Sequence, residues 1–158
     1  MNSSHNQDDM GFRDLTCCVN ETTRPWVDMY GIVGTQVLRV SADTGLWVIR
    51  NRFPPDFRAP THLHTGEVHA FTIAGTWSYE EYDFVSTPGS YVHEQAGAVH
   101  TLVIGSAGAE IQFVVNGAYV NYNPDGTIID VQDGRSVLRS YLEECTAQGI
   151  DAPEGILV

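Results

Sequence analysis

Alternation of apolar and polar positions is the dominant pattern of this chain from Trp26 onward. β-Branched and aromatic residues alternate with polar ones in "GTQVLRVSADTGLWVIRNRF", which predicts two strands joined by a turn at "SADTG". The segment "FPPDFRAP" is predicted to be a loop, because its three prolines are incompatible with a central strand. Further short strand-like runs follow, separated by Gly, Pro, Ser and Asn: "THLHTGEVHAFTIAG", "TWSYEEYDFV", "GSYVHEQ", "HTLVIGS", "AEIQFVVNGAYVNY" and "TIIDV". Many short strands at this spacing predict an all-β barrel or sandwich.

One segment near the C-terminus has helical periodicity instead. The run "DGRSVLRSYLEECTAQGI" predicts a helix over about residues 133–148, with an apolar stripe formed by Val137, Leu138, Tyr141 and Leu142. Gly149 suits the position that follows a helix end. Residues 1–22 lack periodicity and are expected to form a flexible N-terminal arm. The predicted organisation is therefore a single domain over residues 23–158, whose barrel occupies about residues 26–131.

Composition and charge exclude several classes of function. The formal net charge of −12 argues against nucleic acid and anionic membranes as partners, because both require a basic surface. The chain contains no lysine, which excludes Schiff-base chemistry, covalently bound pyridoxal phosphate and a P-loop. The N-terminal "MNSSHNQDDMGFRDL" is polar and acidic, unlike a signal peptide, and the three cysteines are an odd number. We therefore expect a cytoplasmic protein with reduced thiols.

Histidines are concentrated in the middle of the chain, where five of the six lie between positions 62 and 100. His62 and His64 are two residues apart on a predicted strand, so both imidazoles should point to the same face. His100 follows the turn "EQAGAV" and precedes an apolar strand, and this strand can lie beside the first in a barrel. Three neutral imidazoles can hold a metal and leave positions open for water or substrate. His69 and His93 are interpreted as structural or surface residues.

Other polar and aromatic residues of this region are weaker candidates. Glu94 lies six residues before His100 and can orient a ligand or water, accept a substrate proton, or be an ordinary carboxylate at a strand edge. Glu80 and Glu81 are adjacent, so we expect one of them to face the barrel interior. Four aromatic residues are candidates for a pocket lining, with core packing as the favoured role of each: Phe71, Trp77, Tyr79 and Tyr91.

Two motifs in residues 26–122 resemble those of the cupin superfamily. The first is Gly, five residues, His-x-His, three or four residues, Glu, six residues, Gly, and it is represented here by His62, His64 and Gly75. The second is Gly, five residues, Pro-x-Gly, two residues, His, and it is represented by three residues with the correct spacing: Gly89, Gly97 and His100. The resemblance implies a cupin β-barrel, also called a jelly roll or double-stranded β-helix, followed here by the C-terminal α-helix.

The chain departs from these motifs at two positions, since Val68 stands where the first expects Glu and Gln95 where the second expects Pro. Glu67 and His69 flank Val68, and strand parity should turn both of them the other way. Loss of the glutamate leaves a three-histidine site, which resembles that of cupin dioxygenases that cleave C–C bonds, such as the acetylacetone-cleaving enzyme. That enzyme has a glutamate at the place of Glu94. The stretch "HLHTGEVHAFTIAGTWSYEEYDFVSTPGSYVHEQAGAVHTL" is also similar to the 2,4'-dihydroxyacetophenone dioxygenase branch.

The resemblance implies a mononuclear non-haem iron enzyme that uses O2 to cleave a C–C bond of a small hydroxyketone or β-diketone. Fe(II) is the expected metal, and imidazole ligands also suit Zn, Ni, Mn or Cu. A zinc-binding cupin that senses or regulates without turnover, or a cupin isomerase with a non-redox metal, remains the alternative, because one fold hosts many functions. The resemblance also implies a homodimer or homotetramer, since cupins commonly pair through edge strands.

Overall fold

Ten strands and one helix make up the part of the chain that the computed structural model describes, residues 16–158. Nothing is described for residues 1–15, so most of the predicted arm lies outside the described residues, and its flexibility stays a prediction. The elements in chain order are β1 Val27–Met29, β2 Val33–Val40, β3 Leu46–Phe53, β4 Thr61–His64, β5 Val68–Tyr79, β6 Tyr91–Glu94, β7 Val99–His100, β8 Leu102–Asn116, β9 Ala118–Tyr122, β10 Ile128–Asp133 and α1 Gly134–Ala147.

The strands form two antiparallel sheets, which confirms the predicted all-β fold. The larger sheet has the order β1-β2-β3-β8-β5-β6, and the smaller has the order β10-β9-β4-β7. The predicted hairpin at "SADTG" joins β2 to β3, and the proline-rich segment after Phe53 is a loop up to the start of β4. Long strands β5 and β8 cross the larger sheet side by side and give it its centre.

Strand boundaries differ from the sequence prediction in the middle of the chain. The run "THLHTGEVHAFTIAG" contains two strands, because a turn after His64 separates β4 from β5 and places them in different sheets. Strand β5 then continues through Gly75 to Tyr79, where "EEYDFV" leaves the sheet as a turn and loop. Pairing shifts with β8 between Gly75 and Trp77 let β5 bend there without ending.

The C-terminal helix is confirmed at the predicted place. Asp133 is its N-cap, because its carboxylate accepts a hydrogen bond from the Ser136 backbone N–H at 2.8 Å, and the Ser136 hydroxyl accepts one from the Asp133 N–H at 2.8 Å. Beyond the helix, the N–H groups of Gly149 and Ile150 donate to carbonyl oxygens of the last turn. This reciprocal capping satisfies backbone groups that the helix ends leave unpaired.

Two apolar clusters form the core on either side of the barrel interior. One joins the helix to the larger sheet through Val137, Tyr141 and Trp47, all fully or almost fully buried. The Tyr141 hydroxyl donates to the Pro25 carbonyl at 2.5 Å, and burial raises the pKa of this phenol. The second cluster fills the other end of the larger sheet around Trp77 and Ile111. Between the two clusters lies a cavity whose wall includes His62 and His64.

Candidate metal centre

Three of the five clustered histidines meet inside the barrel. His62 and His64 lie on β4 and share a face, as the two-residue spacing predicted. His100 lies on β7, directly opposite His62 in the β4–β7 register. Ring centroids are 4.9 Å apart for His62–His64 and His62–His100, and 5.2 Å apart for His64–His100. One ring nitrogen of each residue lies within 4.8 Å of the others, which is an arrangement that can hold a metal ion.

The protonation and orientation of His62 suit coordination. Burial lowers the pKa of His62 to about 4, so the ring is neutral at neutral pH. Its Nδ1 lies 3.0 Å from the Pro60 carbonyl oxygen, which requires the hydrogen to be on Nδ1 and leaves Nε2 with a free lone pair. A backbone carbonyl that fixes the ring in this way is typical of metal-ligating histidines.

Glu94 lies immediately beside two of these histidines. Its Oε2 is 3.0 Å from His64 Nε2 and 3.4 Å from His100 Nε2. None of these three buried atoms makes a hydrogen bond of acceptable geometry with any described residue. Buried polar atoms without hydrogen bonds lower the stability of the folded protein unless another group, such as a bound ion, interacts with them. The unpaired nitrogens and oxygen therefore fit a bound cation better than an apo core.

Tyr79 supports both the glutamate and the third histidine. Its hydroxyl donates to Glu94 Oε1 at 2.5 Å, and its ring stacks on His100 with centroids 3.6 Å apart. Burial, followed by the adjacent Glu94 charge, raises the pKa of Tyr79 well above its ordinary value, so the phenol stays protonated. Burial alone would raise the pKa of Glu94, but the His100 and His64 rings and the Tyr79 hydroxyl lower it overall. Glu94 is therefore a carboxylate at neutral pH.

Glu94 lies next to the position at which the first motif expects a glutamate. Val68 is fully buried, and in the β5–β6 register it lies directly opposite Glu94. The chain therefore places a carboxylate beside the histidines from the neighbouring strand. Glu67 and His69, on either side of Val68, point away from the interior as strand parity predicted. Sequence reasoning missed the Val68–Glu94 pairing because no local pattern specifies which residues face each other across two strands.

A largely apolar cavity of about 410 Å³ leads to the histidines. Its wall includes His62, His64, Val68 and Tyr79, together with apolar side chains of the larger sheet and of the loop after β3, such as Ile49, Phe53, Phe57 and Phe113. Polar groups are few on this wall, and Asn51 and Asn121 are among them. A concave, mainly apolar site with a few polar groups is typical of small-molecule binding.

The weaker candidates are divided by the structure. Trp77 and Tyr79 are buried, as expected of core aromatics, whereas Phe71 and Tyr91 are exposed on the outer side of the larger sheet, so both roles considered for them are wrong. The expectation that Glu80 or Glu81 faces the barrel interior is also wrong. Both residues follow the end of β5 and are exposed, since the chain turns there and strand parity no longer applies.

Comparison with known proteins identifies the family. A profile of the ChrR cupin-like domain matches residues 16–120, so the chain belongs to this family of cupins. No curated protein matches the chain in sequence. Among the described residues, no helix has the length and apolar character needed to cross a membrane.

Solved structures share the fold over most of the chain. An RmlC-like cupin from Ralstonia eutropha JMP134 is 26% identical, with a TM-score of 0.84 over 90% of this chain and 94% of that chain. A cupin-like protein of unknown function from the same organism is 27% identical, with a TM-score of 0.83 over 92% and 94% of the respective chains. An acetylacetone dioxygenase from Acinetobacter johnsonii is 16% identical, with a TM-score of 0.72 over 82% and 91%. At this last identity the likeness concerns the fold alone.

Proposed function

We propose that this chain is a mononuclear non-haem iron dioxygenase that cleaves a C–C bond in a small hydroxyketone or β-diketone. The observation that carries the proposal is the convergence of His62, His64 and His100 beside a mainly apolar cavity, with unpaired ring nitrogens on the two buried members, His64 and His100. The fold that the chain shares with an acetylacetone dioxygenase supports the same class of reaction. In such a cleavage each carbon of the broken bond takes one oxygen atom from O2, so no external reductant is consumed.

The three histidines are the proposed metal ligands, and all three are neutral donors in this role. When bound, iron(II) supplies an electrophilic centre that lowers the pKa of a chelating ketone and allows O2 to react with it. Because imidazoles contribute no charge, the site favours an anionic pair of substrate oxygens such as an enolate. The apolar wall around Phe53 and Phe113 excludes water and binds the carbon skeleton of the ketone.

Glu94 is the proposed proton acceptor of the site. Tyr79 donates to Oε1, which holds the carboxylate in place and leaves Oε2 facing the ring nitrogens of His64 and His100. Because Oε2 adjoins two of the proposed metal ligands, we assign it the acceptance of a proton from a substrate group held next to the histidines, and the ionised state of Glu94 suits this role.

Metal analysis followed by oxygen uptake tests the proposal. Protein purified without a His tag is expected to contain about one tightly held iron per chain, and His62→Ala is expected to lose it. The matched control is Glu143→Gln, which changes an exposed helix residue and should keep the iron. Oxygen uptake is then measured with a panel of β-diketones and hydroxyketones. Iron-loaded wild type that consumes no oxygen with any of them would contradict the dioxygenase proposal.

Membership of the ChrR cupin-like family favours one second candidate, a zinc-binding cupin that regulates without turnover. The same histidines and Glu94 suit zinc, since imidazole and carboxylate are both zinc ligands. This candidate predicts zinc that resists mild chelation, is lost in His62→Ala, and is accompanied by no oxygen uptake after iron loading. The two candidates thus share the site and differ in the metal and in turnover.

A further inference from the structure

A second group of metal-ligating side chains lies on the outside of the larger sheet. His69 on β5 and His93 on β6 are opposite each other in the strand register, and Glu67 immediately precedes β5. One potential ligand atom from each residue lies within 4.8 Å of the others. Val68 and Ala70, on either side of His69, are fully buried, so His69 projects to the opposite face. This outer cluster is therefore separated from the interior histidines by the sheet itself.

The three side chains already converge on one point. The Glu67 carboxylate places Oε2 3.1 Å from His93 Nε2 and Oε1 3.8 Å from His69 Nε2. The two imidazoles stack with centroids 5.2 Å apart and planes inclined by 18°. Because both Nε2 atoms face the carboxylate, a small contraction of flexible, half-exposed side chains would bring all three ligand atoms around one ion.

Tyr91 orients one of the rings from outside the cluster. Its hydroxyl lies 2.6 Å from His69 Nδ1, and the two rings are stacked at 5.9 Å. When Nδ1 carries the hydrogen and donates it to this hydroxyl, Nε2 has its lone pair free on the side of Glu67. A hydrogen bond to the nitrogen that does not bind metal is the usual support of a metal-ligating histidine.

We propose that Glu67, His69 and His93 form a second site for a divalent transition-metal ion of the zinc class. Two imidazoles and one carboxylate are a donor set that suits zinc, nickel or copper, whereas calcium and magnesium prefer oxygen ligands alone. The partial exposure of the three residues gives an ion access from solvent, and the net charge of −12 favours a cation at the surface. A bound ion links β5 to the edge strand β6, and β6 carries Glu94.

Zinc titration of the chelator-stripped full chain tests this site. The experiment uses Cys17→Ser, Cys18→Ser protein as its reference, because the two neighbouring exposed thiols can also bind zinc. Isothermal titration calorimetry is expected to show a second equivalent of zinc in addition to the one at the interior histidines. His93→Ala should lose this second equivalent, and Tyr91→Phe should weaken it about tenfold. Glu143→Gln, on the exposed helix surface, should change neither equivalent.

His62→Ala separates the two sites, because it removes an interior ligand and should leave the outer equivalent in place. Failure of the interior site to bind metal would therefore not affect this test. Failure of His62→Ala protein in the reference background to bind zinc, or zinc binding by it that persists when His69→Ala or His93→Ala is added, would overturn the proposal. In that outcome the three residues form only a cluster of polar side chains on the surface. Circular dichroism of each variant checks that it is folded.

Discussion

Glu94 is the residue whose environment most changes the interpretation of the histidine site. In the sequence it is one of several carboxylates, whereas in the fold it is buried and contacts two proposed metal ligands. Tyr79 binds its other oxygen. It does not belong to the set of three histidines whose ligand atoms all lie within 4.8 Å of one another. We therefore propose proton acceptance as its role, and metal ligation is the alternative.

Replacement of the carboxylate by an amide separates these two roles. Glu94→Gln is expected to retain the metal and to reduce kcat/KM roughly 100-fold or more, because the amide cannot accept the proton. Metal content by mass spectrometry and oxygen uptake with the substrate found by screening are the two measurements. Tyr79→Phe is the companion variant, and it should retain metal with a smaller loss of activity. Loss of metal from Glu94→Gln would instead identify Glu94 as a fourth ligand.

Gly75 belongs to the first cupin motif for a structural reason, because its backbone conformation and close packing leave no room for a side chain. It has a left-handed φ of 70°, and a Cβ at this position would overlap the Gly108 carbonyl oxygen on the neighbouring strand. Gly126 also has a left-handed φ, of 83°, but a Cβ there would meet nothing within 4 Å. A side chain at Gly126 would meet only the energetic cost of a left-handed backbone. A side chain at Gly75 would meet that cost and also a steric clash with the neighbouring strand.

Alanine at these two positions should have unequal effects on stability. Gly126→Ala is expected to lower the free energy of unfolding by about 1 kcal/mol, the cost of a left-handed non-glycine residue. Gly75→Ala should lower it by about 3 kcal/mol or more, since strands β5 and β8 must also move apart. Urea denaturation followed by tryptophan fluorescence measures both. Equal losses in the two variants would mean that the sheet absorbs the extra methyl group without strain.

Strand β4 is the element on which the site depends, although it has only four residues. Its two histidines face the interior, and its neighbours are β7 on one side and β9 on the other. Pairing with β7 brings in His100, and pairing with β9 places Tyr119 opposite His64. A short strand between two neighbours has little freedom to shift, so the relative positions of the imidazoles are held by the sheet.

The helix α1 is the element whose start is specified most locally. Asp133 and Ser136 cap it reciprocally. Asp133→Ala is expected to lower the free energy of unfolding by about 1 kcal/mol, because the backbone N–H of Ser136 loses its acceptor. Arg135→Ala, at an exposed position of the same turn, should change it by less than about 0.5 kcal/mol. Urea unfolding curves with equal slopes test this, and a larger effect of Arg135→Ala would contradict the capping role.

At the scale of the whole molecule, the unpaired atoms in the interior predict that metal binding stabilises the fold. His64, His100 and Glu94 each have a buried polar atom with no hydrogen-bond partner among residues 16–158, and an apo protein must bear this cost. A metal present at about 100 times its dissociation constant adds about 2.7 kcal/mol to the free energy of unfolding. We therefore expect chelation to lower the Tm of wild-type protein by roughly 5 °C or more.

Differential scanning calorimetry with and without EDTA measures this shift. His62→Ala should show a much smaller dependence on the chelator, because an interior ligand is missing. His93→Ala, which leaves the interior site intact, should keep most of the wild-type shift. A Tm that does not respond to chelator in metal-loaded wild type would show that the interior atoms gain no stability from an ion.

The assembly expected from the resemblance, a homodimer or homotetramer, stays a prediction. So does the flexible arm, whose first residues lie outside the described part of the chain.

The sequence by itself determined the features that depend on local periodicity. The two-residue repeat placed His62 and His64 on one face, and it turned Glu67 and His69 away from the interior. Apolar spacing and Gly149 located the helix to within one residue at each end. The cupin motifs identified His100 as the third member of the set. The faces of the strand residues and the position of the helix follow from the geometry of a single strand or helix, which a short window of sequence contains. His100 was identified by the family resemblance instead.

Only the tertiary structure decided which residues face each other across strands. The pairs Val68–Glu94 and His69–His93 come from one register, which a shift of a single residue would abolish. That register brought Glu94 to the interior site and assembled the outer cluster from residues interpreted as bystanders. A long loop, residues 80–90, joins β5 to β6, so no tight turn fixes this register and it depends on the packing of the whole barrel. A local pattern gives the face on which a side chain lies, but packing selects its neighbour.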